Sequence, residues 1–506
     1  MIAFIGLGNV GDKYKETKHN AGFWVIDEMA KKIKLKPQQV KNTFNIFVKA
    51  TLENPTFSSQ VKSECTLKVQ DFGSKFEMPK TFVKNVLKTG ISDELTALSK
   101  FKEMKELAKT DGGARKSKIT GIPKLDDANK AGTAQSKKCT LIVTEGDSAK
   151  TLAVAGLSVV GRDHYGVFPL RGKCKNVRDA SVAQLTGNQE FNDLKKILGL
   201  QQGKDYKDVS ELRYGRLMIM TDADNDGSHI KGLILNMIDY FWPSLLKLGF
   251  VVSMVTPIIK ATRGNQTKSF YTDSKFRTWY GNGQPGWRIK YYKGLGTSTA
   301  KEFREYFKDR KMIYFNFNDK EHSTESIDMV FGKKRASDRK HWLSDYDKTR
   351  VPRIDQDGGV SRLDYEEFVN GDMIHFSKYD CERSIANVMD GLKTSQRKIL
   401  YACFKRKLHK EIKVAQLSGY VSEHAAYHHG EMSLNKAIVG MAQEFVGSNN
   451  IALLSPNGQF GTRLMGGRDA GSPRYLHTAL SSYAYKIFNP NDSQIINYLD
   501  DDGMSI

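Results

Sequence analysis

Residues 139–149 read CTLIVTEGDSA and residues 216–229 read RLMIMTDADNDGSH, and these two stretches decide the fold. Each is a short apolar run that ends in an acidic turn and then opens a helix. An apolar run without alternation is what a strand covered on both faces requires. After the first turn, SAKTLAVAGL continues as a helix. After the second, a helix begins near Ser228, with Ile230, Leu233, Ile234, Met237, Ile238 and Phe241 on one stripe. Two strand–turn–helix units predict an α/β unit over residues 139–260. Both turns then lie at the carboxyl ends of the strands, where α/β sheets bind ligands.

The turns carry the chemistry. The first supplies Glu145, the second Asp222, Asp224 and Asp226. Asp222 and Asp224 are two apart, so in an extended segment both carboxylates project to one side. Like charges this close repel, and a hard divalent cation relieves the repulsion. Mg²⁺ suits a few carboxylates completed by waters and phosphate oxygens. Glu145 is placed either to ligate the metal or to act as general acid or base. Two other readings compete. A solvated acidic turn needs no metal. An EF-hand loop matches D-A-D-N-D-G but requires Glu at its twelfth position, where Leu233 stands, and a preceding helix where a strand is expected.

The whole chain agrees with a polyanionic partner. It has 506 residues, enough for about three domains, and 78 Lys and Arg against 57 Asp and Glu, a net charge of +21. Five cysteines form no CxxC pair, which points to a reducing, intracellular compartment without a structural zinc site. The first residues have no basic n-region, so they do not read as a signal peptide. The apolar stretch from Leu233 to Ile259 is broken by Asn236, Asp239, Pro243 and Lys247, so no membrane association is expected.

LIVTEGDSA and IMTDADNDGSHIKG resemble the two signatures of the TOPRIM domain, specifically that of type IIA DNA topoisomerases. The resemblance continues through VVGRDHYGVFPLRGKCKNVRDAS, YYKGLGTSTAKEFREYF, DRKHWL, DGLKTSQRKILYACFKR, VAQLSGYVSEHAAYHHGEMSL and FVGSNNIALLSPNGQFGTRLMGGRDAGSPRYLHTALS. It runs from about residue 35 to the end, in the one-chain arrangement of eukaryotic topoisomerase II. The family implies an α/β TOPRIM domain with a Rossmann-like parallel sheet, a mainly α winged-helix breakage domain and a partial transducer region before them. It implies Mg²⁺ in a two-metal site, double-stranded DNA as partner, a homodimer, and a nuclear location if the source is eukaryotic.

Residue roles carry over by motif. Tyr475 in SPRY would attack a DNA phosphodiester and take the 5′ phosphate, with Arg474 stabilising the transition state. Ser472-Pro473 reads as an N-cap and N1 pair, which predicts Tyr475 on the first turn of a helix. His428 and His429 match a pair near the scissile phosphate. Lys173, Asn176, Arg397, Lys398 and Arg463 match DNA contacts, although Thr394-Ser395 stands where the family has Pro-Gly before QRK. Gln60 and Lys62 match, with Val61 between, two positions of the transducer's Gln-Thr-Lys motif, which serves ATP held by another domain. Before residue 35 the chain carries no Bergerat-type nucleotide-binding sequence. At the other end NYLDDDGMSI stops where the family continues into its tower and C-gate, so an incomplete core is expected.

Residues 1–33 differ. Gly6, Gly8 and Gly11 match GxGxxG, but a polar loop follows where a dinucleotide fold needs a helix. GLGNVGDKYKETKHNAGFWVID resembles the opening of peptidyl-tRNA hydrolase, with His19 in the position of its base and Asn9 as a substrate contact. The expected organisation is a hydrolase-like fragment over 1–33, partial transducer over 34–110, basic linker over 111–138, TOPRIM over 139–260, its extension over 261–355 and the breakage domain over 356–506. The alternatives are a non-catalytic DNA-binding remnant or misassembled fusion product, and a peptidyl-tRNA hydrolase.

Overall fold

The computed structural model describes residues 92–112 and 118–506 except 282, 293, 319, 358–359 and 502–503, together with isolated positions before 92. The chain divides into two compact units, Met1–Arg335 with Ile354–Glu366, and Ala336–Arg353 with Glu367–Ile506.

The first unit is built on a seven-stranded sheet. Its strands are β1 Thr140–Thr144, β2 Tyr165–Pro169, β3 Arg216–Met220 and β4 Val251–Met254. A small sheet follows, of β5 Ile259–Arg263, β6 Gln266–Phe270 and β7 Arg288–Tyr291. The chain then returns to the main sheet with β8 Met312–Asn316, β9 Asp355–Asp357 and β10 Val360–Asp364. The main sheet runs β9-β10-β8-β4-β3-β1-β2. β2, β1, β3 and β4 are parallel, as the TOPRIM resemblance implies; β8 joins antiparallel to β4.

Every residue of β1 is buried, Thr140 and Thr144 included. Ile142, Met218, Met220 and Val252 share a core with Ala153 and Leu157 of helix α1 (Asp147–Val160) and with Phe303 and Phe307 further along the chain. Leu141, Val143, Leu217 and Ile219 alternate with them and are equally buried, so both faces are covered. A Cβ on Gly156 of α1 would meet the Phe307 ring at 2.3 Å, so only glycine permits this approach. The expected stripe lies on α2 (Asn225–Phe241), where Ile230, Leu233, Ile234, Met237 and Ile238 are all buried. α2 begins inside the twelve-residue window an EF-hand loop would need, and β3 precedes it, which removes that reading.

The described part of 111–138 is tied to the sheet. Asp126 bridges to Val167 of β2, Ala131 is fully buried, and Asp127 takes Arg213 at 2.5 Å and the Tyr214 hydroxyl. Before it, the fully buried ammonium of Lys195 binds Asp111 at 2.6 Å and the Leu107 carbonyl at 2.9 Å. Near the start of the chain, Phe4–Ile5 pairs in parallel with Ile46–Phe47. Among the described residues no helix is long and apolar enough to cross a membrane.

The second unit has a helical core. Helices α3 (Thr394–Lys405), α4 (Val414–His424) and α5 (Glu431–Ala442) bury Ile399, Leu400, Leu417, Val421, Leu434 and Ile438 in one cluster. Leu434, Ile438 and Met441 share the predicted face, while Phe445 lies beyond the helix end. A short antiparallel ladder, β11 (Ile412–Lys413) with β12 (His477–Thr478), brings the end of the loop that follows α5 back to the start of α4. Helices closed by such a ribbon match the winged-helix expectation.

Candidate active site

Glu145 and Asp222 come from the ends of neighbouring parallel strands, because β1 and β3 pair with Thr144 opposite Met220. The Glu145 carboxylate faces the Asp222 backbone N–H at 3.5 Å. Burial pushes the Glu145 carboxyl up to about 7, and the charges of Asp222 and Asp224 push the same way. Asp222 is also raised, by burial and by Asp224, against a hydrogen bond from the Leu295 N–H at 2.7 Å. Asp224 caps α2, its Oδ1 accepting the Gly227 N–H at 2.7 Å. A Cβ on Gly227 would meet the Asp222 carbonyl at 2.1 Å, so the glycine of DADNDG is required for the turn to fold back on itself.

Asp226 takes the Lys173 ammonium at 2.6 Å, which places Lys173 beside the acids. Asn176 goes elsewhere: its amide donates to the Phe331 carbonyl at 2.9 Å and accepts from Asn236 at 3.0 Å. That network holds Arg178 against Asn236 at 2.6 Å, Asp328 at 2.8 Å and the buried Asp239.

The donors fit a hard cation held by few protein oxygens. Among the described residues no three His, Cys, Asp or Glu side chains converge as a ready metal cage. Glu145 and Asp222 nevertheless meet in a half-buried site where burial disfavours both charges and the Asp222 carboxylate adds to the cost of ionising Glu145. An all-protein Ca²⁺ or Zn²⁺ site needs more converging ligands, whereas Mg²⁺ keeps waters and takes phosphate oxygens.

The second unit shows a correction. Tyr475 does not start a helix. Its N–H donates to the Ser472 carbonyl at 2.9 Å, closing a turn over Ser-Pro-Arg-Tyr with Pro473 second. The chain then enters β12, which rules out helix propagation. No helix N-terminus therefore begins at Tyr475. The turn is fixed from below instead: the N–H groups of Ala415 and Val414, at the start of α4, donate to the carbonyls of Pro473 at 3.2 Å and Leu476 at 2.9 Å. Leu476 is buried while Tyr475 is 78% exposed, so the ring stands out from a braced backbone. Arg474 is exposed beside it.

The other expected residues of this unit are distributed around the helices. His429 has its Nε2 2.6 Å from the Tyr379 hydroxyl. His428 is exposed next to it. Lys398 of α3 donates to the Ala426 carbonyl at 2.8 Å, tying α3 to the turn that carries the two histidines. Arg397 makes a two-point contact with Asp390, at 2.9 and 2.7 Å. Arg463 is exposed in the loop 457–473, which is clamped by Thr462 on Asp469 and by Gln443 on the Phe460 carbonyl, each at 2.8 Å. Leu295, Gly294, Tyr379 and Asp390 escaped the sequence reading as site residues. Gln60 is exposed; Lys62, Asn9 and His19 lie outside the described residues.

Comparison with known proteins places these units. Residues 140–254 match the Toprim domain, 254–381 the C-terminal associated domain of TOPRIM, and 383–506 the A-type subunit of DNA gyrase/topoisomerase IV. Residues 3–63 match peptidyl-tRNA hydrolase, a longer stretch than residues 1–33, to which the sequence motifs confine the resemblance. The chain is 52% identical over 478 residues to a probable DNA topoisomerase 2 of Dictyostelium discoideum, covering 93% of this chain and 31% of that protein. It is 50% identical over 490 residues to DNA topoisomerase 2 of Drosophila melanogaster, covering 94% and 34%. The solved Plasmodium falciparum topoisomerase II DNA-binding, cleavage and re-ligation domain superposes with a TM-score of 0.65 at 53% identity, over 77% of this chain and 54% of that one. The chain thus spans about a third of the length of these curated relatives. With Toprim, Toprim-associated and gyrase A-type regions in unbroken order, the chain belongs to the type IIA DNA topoisomerases.

Proposed function

We propose that this chain is the cleavage–religation core of a type IIA DNA topoisomerase, acting on double-stranded DNA as a homodimer. The observation that carries the reading is the meeting of Glu145 with Asp222 and Asp224 at the ends of adjacent parallel strands. In the same chain, a tyrosine stands exposed on a braced turn beside an arginine.

In this reading Tyr475 Oη attacks a DNA phosphorus and the 3′ oxygen leaves, so one phosphodiester is exchanged for a 5′-phosphotyrosyl link. The phenolic proton leaves as the bond forms, and the departing 3′ oxygen receives one. Religation reverses each step, so no bond energy is lost to hydrolysis. Arg474 opposes the charge that builds on the phosphoryl oxygens, and His429, oriented by Tyr379, lies among the groups serving that phosphate. Glu145, Asp222 and Asp224 would hold Mg²⁺, which would supply Lewis-acid stabilisation of the same charge. Asp226 fixes Lys173 for a phosphate contact. Arg397, Lys398, Arg463 and His428 complete the DNA surface, while Asn176 supports it from behind through Asn236 and the Phe331 carbonyl. In the dimer, Tyr475 of one protomer works with the acids of the other. Two metal ions per site, action in the nucleus, and dependence on ATP bound by another domain follow from the family and are part of this proposal.

The test is denaturing capture of protein-linked DNA with Mg²⁺, using the chain extended until it dimerises. An adduct is expected from the wild type and none from Tyr475→Phe, with DNA affinity within about twofold. An adduct that persists in Tyr475→Phe names the wrong nucleophile. DNA binding without any adduct in the dimeric wild type would show a non-catalytic remnant.

A further inference from the structure

We propose that the small sheet β5–β7, with the hairpin tip between β5 and β6, is a separate contact surface for the phosphate backbone of duplex DNA. The inference rests on the chain being a DNA-binding enzyme, but it concerns residues that neither the acids nor Tyr475 involve.

The first observation is charge. Residues 259–292 hold seven cations, Lys260, Arg263, Lys268, Lys275, Arg277, Arg288 and Lys290, against the single acid Asp273. This excess of six lies within 34 residues, whereas the whole chain has an excess of 21 over 506. A patch of one sign destabilises the fold by self-repulsion unless an opposite charge meets it.

The second is how those cations are held. Elsewhere in this unit buried cations are neutralised, Arg178 by Asp239, Lys195 by Asp111 and Arg213 by Asp127. Two of the seven follow that rule: Lys260 reaches Glu305 at 3.5 Å and Lys290 reaches Glu302 at 3.3 Å, docking the sheet onto the helix Ala300–Lys308. Arg263 and Lys268 do not. Arg263 lies 4.9 Å from the centre of the Trp287 ring, and Lys268 lies 5.3 Å from Trp279 and 5.8 Å from Trp287. An aromatic face orders a cation without cancelling its charge. The two tryptophans pack edge to face at 5.2 Å and belong to the module's own core with Phe270 and Phe276, so the platform is rigid. Lys275 and Arg288 are exposed, and among the described residues no carboxylate pairs with either of them, nor with Arg263 or Lys268.

The third is register. Arg263 pairs with Gln266 and Ala261 with Lys268, so Arg263 and Lys268 are diagonal cross-strand neighbours on one face, about 7–8 Å apart. Thr262 stands opposite Thr267 and Arg288, so a third cation and two hydroxyls share the other face. Gln266, Thr267, Lys268 and Ser269 are all exposed. Cations alternating with neutral donors at the end of a sheet are suited to phosphate and sugar contacts that carry no sequence information.

The experiment compares the full chain with its Arg263→Gln/Lys268→Gln/Arg288→Gln variant. It measures affinity for a duplex oligonucleotide between 50 and 200 mM salt, without divalent metal. Each lost phosphate contact should lower the slope of log K against log salt by about 0.9. We expect the slope to fall by about 2–3 and the low-salt affinity to drop at least tenfold, with the melting temperature retained. Arg263→Lys/Arg288→Lys, which keeps the charge, should restore the slope. An unchanged slope in the triple variant overturns the inference and leaves the cleavage reading intact. A wild type that fails to bind duplex at any salt overturns the cleavage reading itself. If the triple variant binds DNA normally but loses binding to polyglutamate, the surface serves an acidic polypeptide and the inference is wrong.

Discussion

Gly294 stands where any side chain would strike the carboxylate of Asp222: a Cβ there would lie 2.4 Å from Oδ2. The next residue, Leu295, donates its N–H to the other oxygen at 2.7 Å. One loop therefore both orients Asp222 and leaves it room. Gly294 itself has an extended backbone, φ −159°, so the requirement is space and not backbone conformation.

Gly294→Ala should push Asp222 off the Leu295 N–H. The expected cost is about 1.5–3 kcal/mol of stability, the range for a lost hydrogen bond to a charged group. Metal-dependent cleavage should fall at least tenfold while metal-free DNA affinity stays within twofold. Paired measurements of adduct yield and binding check this. Normal yield would mean that Asp222 tolerates the shift and does not set the metal position.

Glu145 is held in an environment that disfavours its charge through burial and through Asp222 and Asp224. Without metal, Glu145→Gln should stabilise the chain by about 1 kcal/mol, because a repelled carboxylate is removed. With Mg²⁺ the order should invert. The wild type gains stability in proportion to the logarithm of metal concentration over Kd, and the variant gains little. Melting curves in EDTA and in Mg²⁺ decide it. An equal Mg²⁺-induced rise in both proteins would remove Glu145 from the metal site.

The acidic turns are legible in the sequence because their chemistry is local: strand, acid, glycine and helix start all lie within a dozen residues. The Tyr475 turn is not. Ser-Pro opens helices and type I turns alike. What decides between them is the pairing of His477–Thr478 with Ile412–Lys413, more than sixty residues earlier in the chain. The Leu295 contact with Asp222 spans 73 residues and leaves no trace in spacing. Arg397 is similar: the family motif raises the expectation of a DNA contact, but the motif does not show that Asp390 occupies its guanidinium. Composition marked the basic balance of the chain without locating the surface that carries it.

Glu302 gives a pH dependence with a definite sign. Burial opposes its ionisation, but the Tyr292 hydroxyl, the Thr299 N–H and hydroxyl, and Lys290 outweigh that and hold it down to about 2. A depressed carboxyl stabilises the fold above its unfolded value, about 4.5, and loses that stabilisation as pH falls toward 2. Glu302→Gln should therefore destabilise by roughly 2 kcal/mol at pH 7, and the gap should shrink between pH 4.5 and pH 2. Unfolding midpoints of both proteins across that window test it. A gap independent of pH would place the effect in packing and not in charge.

Tyr379 is the positioning residue for His429, with 2.6 Å between its hydroxyl and Nε2. Its ring is itself held by Arg383, whose guanidinium lies 5.1 Å from the ring centre. Tyr379→Phe keeps the ring and the Arg383 contact and removes only the hydroxyl. The imidazole then loses one anchor and its tautomer is no longer dictated from that side. Cleavage by the dimeric enzyme should slow about tenfold, on the scale of a lost orienting hydrogen bond, with stability reduced by about 1 kcal/mol. Because His429 itself remains, the pH profile of cleavage should shift position and not merely scale down. His429→Ala in the same background should add little further loss if the two residues act as one unit, whereas losses that multiply would show that Tyr379 acts independently of the histidine. The measurement is the single-turnover rate of adduct formation for wild type, both single variants and the double variant, and an unchanged rate in Tyr379→Phe would detach Tyr379 from the reaction.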